Sequence, residues 1–373
     1  MPETVRVAFV GCTHPHIFAR LQLLREWQIE AVGCYDPDST LTAALERDYG
    51  LKAYASPEAV LDQPGVNWVI IEGWDPDNAR YVQAALERGQ AILLEKPGAP
   101  NLPAMHALVD AVKAAKAAPF QIGYMLPYGS AMAHARRILD EGVLGPVTLA
   151  RFHGATPVGG SREIWQSVPG NLGGLMYTDA CHLVHIIVRL LGMPVEVRGK
   201  ILRLPEGEPV IAHGFKKDTL SGLGDTVEMP IGGLVYEDVG AAMFDYGDKL
   251  VTMDLTGWEA HPWVEAWRIE LYGANGTLHV GLQPPWYKLY VRNPKAGYEP
   301  GWHNWDGFGV SGVGTSLLVD ENYTNEMRHM LERVQSWDSD NTRSLMEAEA
   351  VITLLSAIYD SDRSGSAIKV SLR

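Results

Sequence analysis

The sequence predicts an α/β fold whose N-terminal half contains a parallel β-sheet. Residues 69–73 (V-I-I-E-G) form an apolar strand pattern, residues 77–88 a helical pattern, and residues 92–97 (I-L-L-E-K-P) a second apolar strand. A strand, a crossover helix and a second strand indicate parallel pairing. Because open parallel sheets bind ligands at the carboxyl ends of their strands, we expect Lys96 at a ligand site, with Pro97 ending its strand.

Composition restricts the class of protein. A chain of 373 residues, with 46% hydrophobic and 20% charged residues, suggests two globular domains. The net charge of −14 argues against nucleic acid and anionic membranes as partners. We find no secretory signal and no apolar segment approaching the roughly 20 residues that span a bilayer. The three cysteines (Cys12, Cys34 and Cys181) form no C-x-x-C pair, which favours a reducing, cytoplasmic location.

The first 36 residues are typical of a nucleotide-binding unit. Residues 5–12 form a strand pattern that ends near Gly11, residues 16–27 a helix pattern, and residues 29–36 a second strand ending at Asp36. An acidic residue there binds the ribose of NAD and repels the 2′-phosphate of NADP. No arginine adjoins it, so NAD is favoured over NADP. A plain turn at D-P-D-S is the alternative.

The expected phosphate loop is altered. Of the pattern G-x-G-x-x-G only Gly11 remains, because Thr13 and His16 occupy the other glycine positions. Backbone amides at the helix start can still meet a pyrophosphate. His14 and His16 have three possible roles, namely binding phosphate, facing the substrate or filling space.

With these residues in view, the chain resembles the glucose–fructose oxidoreductase / inositol dehydrogenase family (Gfo/Idh/MocA) nearly end to end. The matching segments are the first strand with Gly11, Asp36, residues 84–90 (A-A-L-E-R-G-Q), Glu95-Lys96-Pro97, and residues 141–147, 173–185, 270–278 and 359–365. Residues 270–278 resemble the family's hairpin and residues 359–365 its C-terminal helix end. Glu-Lys-Pro alone is a short motif, whereas the ordered set is specific.

The resemblance implies a Rossmann NAD(P)-binding domain in residues 1–124. It implies a substrate-binding and oligomerisation domain in residues 125–373, built on a large open, mostly antiparallel sheet. That sheet would form a homodimer or homotetramer. The implied reaction is hydride transfer between nicotinamide and a sugar, cyclitol or related polyol, with Lys96 and His182 at the reaction centre.

The chemistry of these side chains suits that reaction. Alcohol oxidation needs a base, and histidine has a pKa near neutrality by default, which suits His182. Lys96 can stabilise developing negative charge, and we expect its pKa to fall beside a cationic nicotinamide. The family's aspartate is replaced by Thr178, with Asp179 one residue later. If this run is helical, either lies within reach of His182, so Asp179 is the third catalytic candidate.

Further candidates complete the predicted site. G-W-D from Gly73 replaces the family's T-P-N, and Asn78 replaces a nearby histidine. We therefore expect a substrate that is atypical for the family. The cofactor candidates are Gly11, Thr13, His14, Asp36, Gly73, Glu95 and Lys96. The substrate candidates are His16, Tyr124, Thr178 and His185.

A metal site on the same predicted helix is an alternative. Thr178, His182, His185 and Arg189 would share one face, and Cys181, Asp179 or His14 could add a ligand. The histidine pair lacks an evident third ligand in sequence, so we expect no metal there.

Two other functions and one residue cluster remain open. The chain could be a lyase or glycosidase that oxidises its substrate transiently with bound NAD, or a non-catalytic nucleotide-binding sensor. Tryptophans could stack on a sugar or fill the sheet core and an oligomer interface; they are Trp258, Trp263, Trp267, Trp286, Trp302 and Trp305.

Overall fold

The computed structural model describes residues 4–155, 168–215, 223–232, 236–258, 267–307 and 321–373. Trp263 lies outside these ranges. Within them, none of the helices is both long enough and apolar enough to cross a membrane.

The N-terminal part is a five-stranded sheet with the order β2-β1-β3-β4-β5, in which every pairing is parallel. Strands β3 and β4 are buried along their whole length, as continuous apolar runs in parallel sheets are. This confirms the predicted parallel sheet. The strands are β1 (Arg6–Val10), β2 (Glu30–Tyr35), β3 (Trp68–Ile71), β4 (Ala91–Leu94) and β5 (Phe120–Ile122).

Helices connect these strands. Side chains cap several of them, as Asp38 does by accepting hydrogen bonds from the Thr40 and Leu41 amides. The crossover helix between β3 and β4 begins two residues earlier than predicted, with proline in its first turn. The helices are α1 (His16–Glu26), α2 (Ser39–Tyr49), α3 (Pro57–Leu61), α4 (Asp75–Glu87), α5 (Leu102–Ala114) and, after a 3₁₀ turn at Leu126–Tyr128, α6 (Ser130–Asp140).

The second sheet has nine strands in the described part of the chain, in the order β15-β14-β13-β12-β6-β11-β10-β7-β16. All its pairings are antiparallel except that of β6 with β11. The predicted fold class is therefore confirmed, and β12 and β13 form the predicted hairpin. Its strands are β6 (Val147–Ala155), β7 (Glu196–Leu202), β10 (Val239–Asp245), β11 (Leu250–Thr256), β12 (Arg268–Gly273), β13 (Gly276–Leu282), β14 (Pro285–Val291), β15 (Gly301–Asp306) and β16 (Ile368–Lys369); β8 (Pro209–Phe215) and β9 (Leu223–Pro230) form a separate hairpin.

One face of the large sheet is covered and the other is open. Along β10, Ala242 and Phe244 are buried, whereas Ala241 and Met243 between them are exposed. Four helices pack against the large sheet or between the two sheets: α7 (Leu175–Thr178), α8 (Ala180–Leu191), α9 (Glu321–Ser336) and α10 (Thr342–Ser364).

The C-terminal helices also contact the first sheet. Arg333 in α9 donates to the Phe120 carbonyl at 2.8 Å, and the Phe120 amide donates to Asn341 Oδ1 at 2.9 Å. Gly365, in the left-handed conformation (φ 67°), ends α10, which agrees with the predicted helix end. These contacts hold the beginning of β5 against the C-terminal helices.

Candidate functional site

Lys96 follows β4 and is buried, as predicted for a ligand site at the strand end. Its Nζ donates a hydrogen bond of 2.8 Å to the Thr178 carbonyl oxygen. Burial opposes its charge, but Cys181, Asp179, Glu95 and Asp75 together raise the pKa of Lys96 above its ordinary value. The acidic groups around the ammonium therefore favour the charged form of Lys96.

The helix predicted to carry His182 is broken at Asp179. Helix α7 ends at Thr178, and Asp179 precedes α8 without a side-chain cap hydrogen bond. The His182 amide donates to the Asp179 carbonyl at 3.1 Å. The Thr178 carbonyl instead accepts from Lys96 and from Cys181 Sγ (3.1 Å). The expectation of one continuous helical face from Thr178 to His182 is therefore wrong. Thr178 Oγ1 donates to the Asp179 carboxylate at 2.7 Å.

His182 lies in a buried aromatic surround. Tyr124 and Trp267 meet its ring edge-on, with centroids at 6.1 Å and 6.0 Å. Burial, aided by the charge of Lys96, lowers the pKa of His182 well below its ordinary value, which corrects the expectation of a pKa near neutrality. Its Nδ1 has no hydrogen-bond partner in the described part of the chain. The imidazole is thus neutral and able to accept a proton.

His185 has a separate environment. Its Nε2 and Glu347 Oε2 are 2.8 Å apart, and its ring stacks on Tyr124 at 4.2 Å. The Tyr124 hydroxyl in turn donates a long hydrogen bond of 3.5 Å to the Pro97 carbonyl. Because His185 pairs with Glu347, its Nε2 is engaged outside the predicted pair with His182. No compact metal-ligand group in the described ranges contains either histidine.

Gly11 and Gly73 meet where β1 and β3 end. Gly11 has φ of 72°, and a Cβ there would lie 2.5 Å from the Gly73 Cα, so only glycine fits. Cys12 N–H donates to Asp36 Oδ2 at 2.6 Å, and the Thr13 hydroxyl donates to the same oxygen at 3.2 Å. The predicted cofactor residues at this end therefore lie together.

The loop after β1 offers few free amides to a pyrophosphate. The His14 amide donates to the Glu72 carbonyl at 2.8 Å, and the Ile17 amide to the His14 carbonyl at 3.2 Å. Pro15 has no N–H. The phosphate contacts of the usual glycine-rich pattern are accordingly reduced here.

A buried amide supports a polar ligand beside this loop. Asn78 is fully buried, and neither its Oδ1 nor its Nδ2 has a partner among the described residues. Its Oδ1 lies 3.5 Å from the position of a Cβ on Gly73. Buried amides are nearly always hydrogen-bonded, so the Asn78 side chain is expected to bind a ligand. The carboxamide or ribose of a dinucleotide has the hydrogen-bonding groups to do so.

The sequence reasoning missed a buried charge network. Arg20 is fully buried in α1; its Nε donates to Glu72, its Nη1 to Glu326 Oε2 at 2.7 Å and its Nη2 to Glu95 Oε2 at 3.4 Å. The sequence did contain a sign that Arg20 is buried, because this charged residue lies on the same side of the helix as the apolar residues Ile17, Leu21 and Leu24. Nothing in the sequence pointed to Glu326 as its partner, because Glu326 lies 306 positions away from Arg20.

His14 and His16 join this network. His16 Nδ1 lies 3.1 Å from Glu95 Oε2, and His14 lies between Glu72 and Glu95 at 3.9 Å and 3.7 Å. Burial lowers the pKa of both histidines well below the ordinary value. Burial also raises the pKa of Glu72 well above its usual range.

Asp75 lies in the segment that replaces T-P-N and was expected to line the site, but no chemical role was predicted for it from the sequence. Asn171 Nδ2 donates to Asp75 Oδ2 at 3.1 Å. Burial raises the pKa of Asp75 to about 7, although Asn171 and the charge of Lys96 oppose this. It therefore titrates near neutrality beside Lys96.

The tryptophans that the sequence offered for sugar stacking, the sheet core or an oligomer interface lie in different surroundings. Trp267 is buried beside His182, and Trp258 Nε1 donates to Asp238 at 2.7 Å. Trp305 stacks on Tyr287, whereas Trp302 is 60% exposed at the sheet edge.

Sequence comparison decides the family. A family profile described as "Oxidoreductase family, NAD-binding Rossmann fold" matches residues 5–124, and one for the "GFO/IDH/MocA C-terminal domain" matches residues 132–279. The chain belongs to the Gfo/Idh/MocA family. The predicted resemblance is confirmed.

Individual relatives of this Gfo/Idh/MocA protein are distant. Inositol 2-dehydrogenases from Ralstonia nicotianae and Klebsiella pneumoniae are 26% and 28% identical over 160 and 145 residues. These matches cover 42% and 39% of this chain and 48% and 43% of the relatives, so the chain spans less than half of their length.

Solved structures show the fold over nearly the whole chain. Levoglucosan dehydrogenase (apo form) has a TM-score of 0.78 at 15% identity, covering 99% of both chains. An oxidoreductase from Agrobacterium radiobacter, in complex with NAD⁺, L-tartaric acid and magnesium, has a TM-score of 0.75 at 14% identity, covering 98% of both. At such identities the similarity concerns the fold alone.

Proposed function

We propose that this protein is an NAD-dependent oxidoreductase that transfers a hydride between nicotinamide and a sugar, cyclitol or related polyol. The observation that carries the proposal is the buried Lys96, charged and held against the Thr178 carbonyl at the carboxyl end of β4. Names of relatives, inositol 2-dehydrogenase and levoglucosan dehydrogenase, indicate the same class of substrate.

The side chains divide the chemistry. Lys96 stays charged, so its role is to stabilise negative charge on the substrate oxygen rather than to remove a proton. His182 is neutral and buried, and its unpartnered Nδ1 makes it the candidate proton acceptor. Asp75, with a pKa of about 7, is placed to exchange protons beside Lys96. Asp179 positions the start of the helix that carries His182.

The described residues fit a dinucleotide with weakened phosphate contacts. Asp36 would hold the adenosine ribose and disfavour NADP, and Asn78 would hold an amide or hydroxyl. Gly11, Thr13, Gly73 and Glu95 lie around the same strand ends. When bound, NAD supplies the hydride acceptor. Tyr124, Thr178 and His185, with His16, remain candidates to line the substrate pocket.

The domain and assembly assignments belong to the same proposal. The boundary near residue 124 falls just after β5, the last strand of the parallel sheet. The open face of the large sheet exposes Met243, and Tyr290 and Trp302 are also exposed at its far end. Such a face supports a homodimer or homotetramer built through this sheet.

A substrate panel tests the function. Tag-free protein is examined by native mass spectrometry for bound cofactor, and NADH formation is then followed with polyols, cyclitols and sugars. Net NADH formation, with NAD retained in the protein, supports the proposal. Product formation without net NADH would indicate transient oxidation by a lyase or glycosidase. Binding of NAD without turnover of any compound would favour a sensor.

A further inference from the structure

Four buried side chains, none of them given a proton-transfer or charge-stabilising role above, converge at the base of the parallel sheet's ligand edge. His14 and His16 come from the loop after β1 and the start of α1, Glu72 follows β3, and Glu95 follows β4. Each is at most 8% exposed. One potential ligand atom from each residue lies within 4.8 Å of all the others.

The separations match those of metal ligands. His16 Nδ1 is 3.1 Å from Glu95 Oε2, and His14 Nε2 is 3.7 Å from Glu95 Oε1. Glu72 Oε2 lies 3.9 Å from the other ring nitrogen of His14, which would not bind the same ion. Ligands at about 2.1 Å from a tetrahedral ion lie about 3.4 Å from one another. The observed distances bracket that value, so small side-chain movements suffice to bind an ion.

Two carboxylate oxygens in the cluster point to a missing ligand. Arg20 donates to Glu72 Oε1 and to Glu95 Oε2, which fixes both carboxylates. The other oxygens, Glu72 Oε2 and Glu95 Oε1, are buried and have no hydrogen-bond partner in the described ranges. Both are the oxygens nearest to His14. Buried carboxylate oxygens left without a donor require an explanation, and a bound cation provides one.

The charges of the buried groups around the cluster do not balance. Arg20 is shared among three buried carboxyl groups, those of Glu72, Glu95 and Glu326. Lys96 donates its hydrogen bond elsewhere, to the Thr178 carbonyl. The cluster therefore needs additional positive charge, which either a divalent ion or a proton held between Glu72 and Glu95 can supply.

We propose that His14, His16, Glu72 and Glu95 bind one divalent transition-metal ion, and that Arg20 positions the two carboxylates. Two imidazoles and two carboxylates suit zinc, manganese, iron or cobalt. The ion would also fix the turn from which Lys96 projects. The site differs from the His182 and His185 pair considered from sequence, and it stands independently of the proposed function.

Metal content and cobalt binding test the site. Tag-free protein from metal-supplemented medium is analysed by plasma mass spectrometry, and chelator-dialysed protein is titrated with Co²⁺ while visible d–d absorption is recorded. We expect one equivalent of metal and a saturable cobalt spectrum. Glu72→Gln and His16→Gln should both lose them, and Arg20→Gln should weaken binding by roughly 10–100-fold, as loss of an outer-sphere partner does.

His185→Gln is the matched control, because it changes another buried histidine and should keep one equivalent. Circular dichroism confirms that each variant is folded; if Glu72→Gln does not fold, His16→Gln decides. Wild-type protein without metal that gives no cobalt spectrum would overturn the proposal in favour of a shared proton. So would metal retained by both ligand variants. Protein that binds metal but never forms NADH would refute only the proposed function.

Discussion

Lys96 Nζ donates a 2.8 Å hydrogen bond to the backbone carbonyl of Thr178, which joins a strand end of the first sheet to the helix break of the second half. In a continuous helix, the Thr178 carbonyl would instead accept a hydrogen bond from the His182 amide. The broken helix and the buried lysine are therefore parts of one arrangement. The positions of Lys96 and His182 depend on each other across it.

Replacing Lys96 by alanine should abolish turnover while leaving NAD affinity within about tenfold, because the ammonium acts on transition-state charge rather than on the cofactor. Steady-state kinetics and NAD titration by calorimetry measure the two effects. Lys116→Ala, at an exposed lysine, is the control and should behave as wild type. Full activity of Lys96→Ala would show that the catalytic assignment is wrong.

His182→Asn should reduce kcat by roughly 10²–10⁴-fold, the usual range for loss of a general acid or base. Because burial keeps the pKa of His182 well below its ordinary value, the ring stays neutral through weakly acidic pH. Wild-type activity should therefore show no loss that is attributable to His182 protonation near pH 6.5. A pH–rate profile of both proteins checks this, and an unchanged kcat in the variant would remove His182 from the mechanism.

Asp36→Ser should narrow the preference for NAD over NADP, since it removes the carboxylate that repels a 2′-phosphate. The ratio of kcat/KM for the two cofactors is the measurement. Asp38→Ser is a close control, because Asp38 is exposed and caps α2. Because serine caps helices about as well as aspartate, this variant should keep both the stability and the ratio. Wild-type protein that binds NADP more tightly than NAD would contradict the assignment.

The sequence was informative where a local pattern determines structure. Continuous apolar runs predicted the parallel strands, and the residue after each run marked a position at the ligand edge, as for Asp36 and Lys96. The hairpin at residues 270–278 and the helix end at Gly365 were expected from the family resemblance, and the structure contains both. Each of these features depends on neighbours within one or two elements.

The parts that sequence did not predict depend on distant partners. The break at Asp179 arises because Lys96, 82 positions earlier, takes the Thr178 carbonyl. The pairing of His185 with Glu347 and of Arg20 with Glu326 joins residues 162 and 306 positions apart. The pKa of His182 was wrongly expected to be near neutrality for the same reason, because burial by the second half was not visible in the local pattern.

Glu347→Gln should destabilise the protein at neutral pH and much less in acid. Burial opposes ionisation of Glu347, but hydrogen bonds from His185 and Arg343 and the charge of Arg189 lower its pKa to about 2. A carboxyl with a depressed folded-state pKa stabilises the fold above its unfolded pKa, and this contribution is lost as pH falls from about 4.5 towards about 2. At about 1.4 kcal/mol per pKa unit, the contribution is at most about 3.5 kcal/mol.

Urea unfolding of wild type and Glu347→Gln at several pH values measures this difference. Glu332→Gln, at an exposed position of α9, is the control and should show little change. A difference between wild type and Glu347→Gln that stays constant from pH 7 to pH 3 would rule out the ionised pair as its source.

Arg20→Met should destabilise the protein by about 3–5 kcal/mol, because removing one partner leaves buried carboxylates uncompensated. The methionine keeps the apolar contacts of the arginine stem, so the loss reports the charge rather than packing. Arg25→Met in the same helix is the control, since Arg25 is exposed and should change stability by less than about 1 kcal/mol. Urea unfolding in chelator-treated buffer measures both. The deficit should shrink in acid, where Glu95, whose pKa is lowered in the folded protein, gains a proton. A variant as stable as wild type at neutral pH would show that the carboxyl groups beside Arg20 already hold protons.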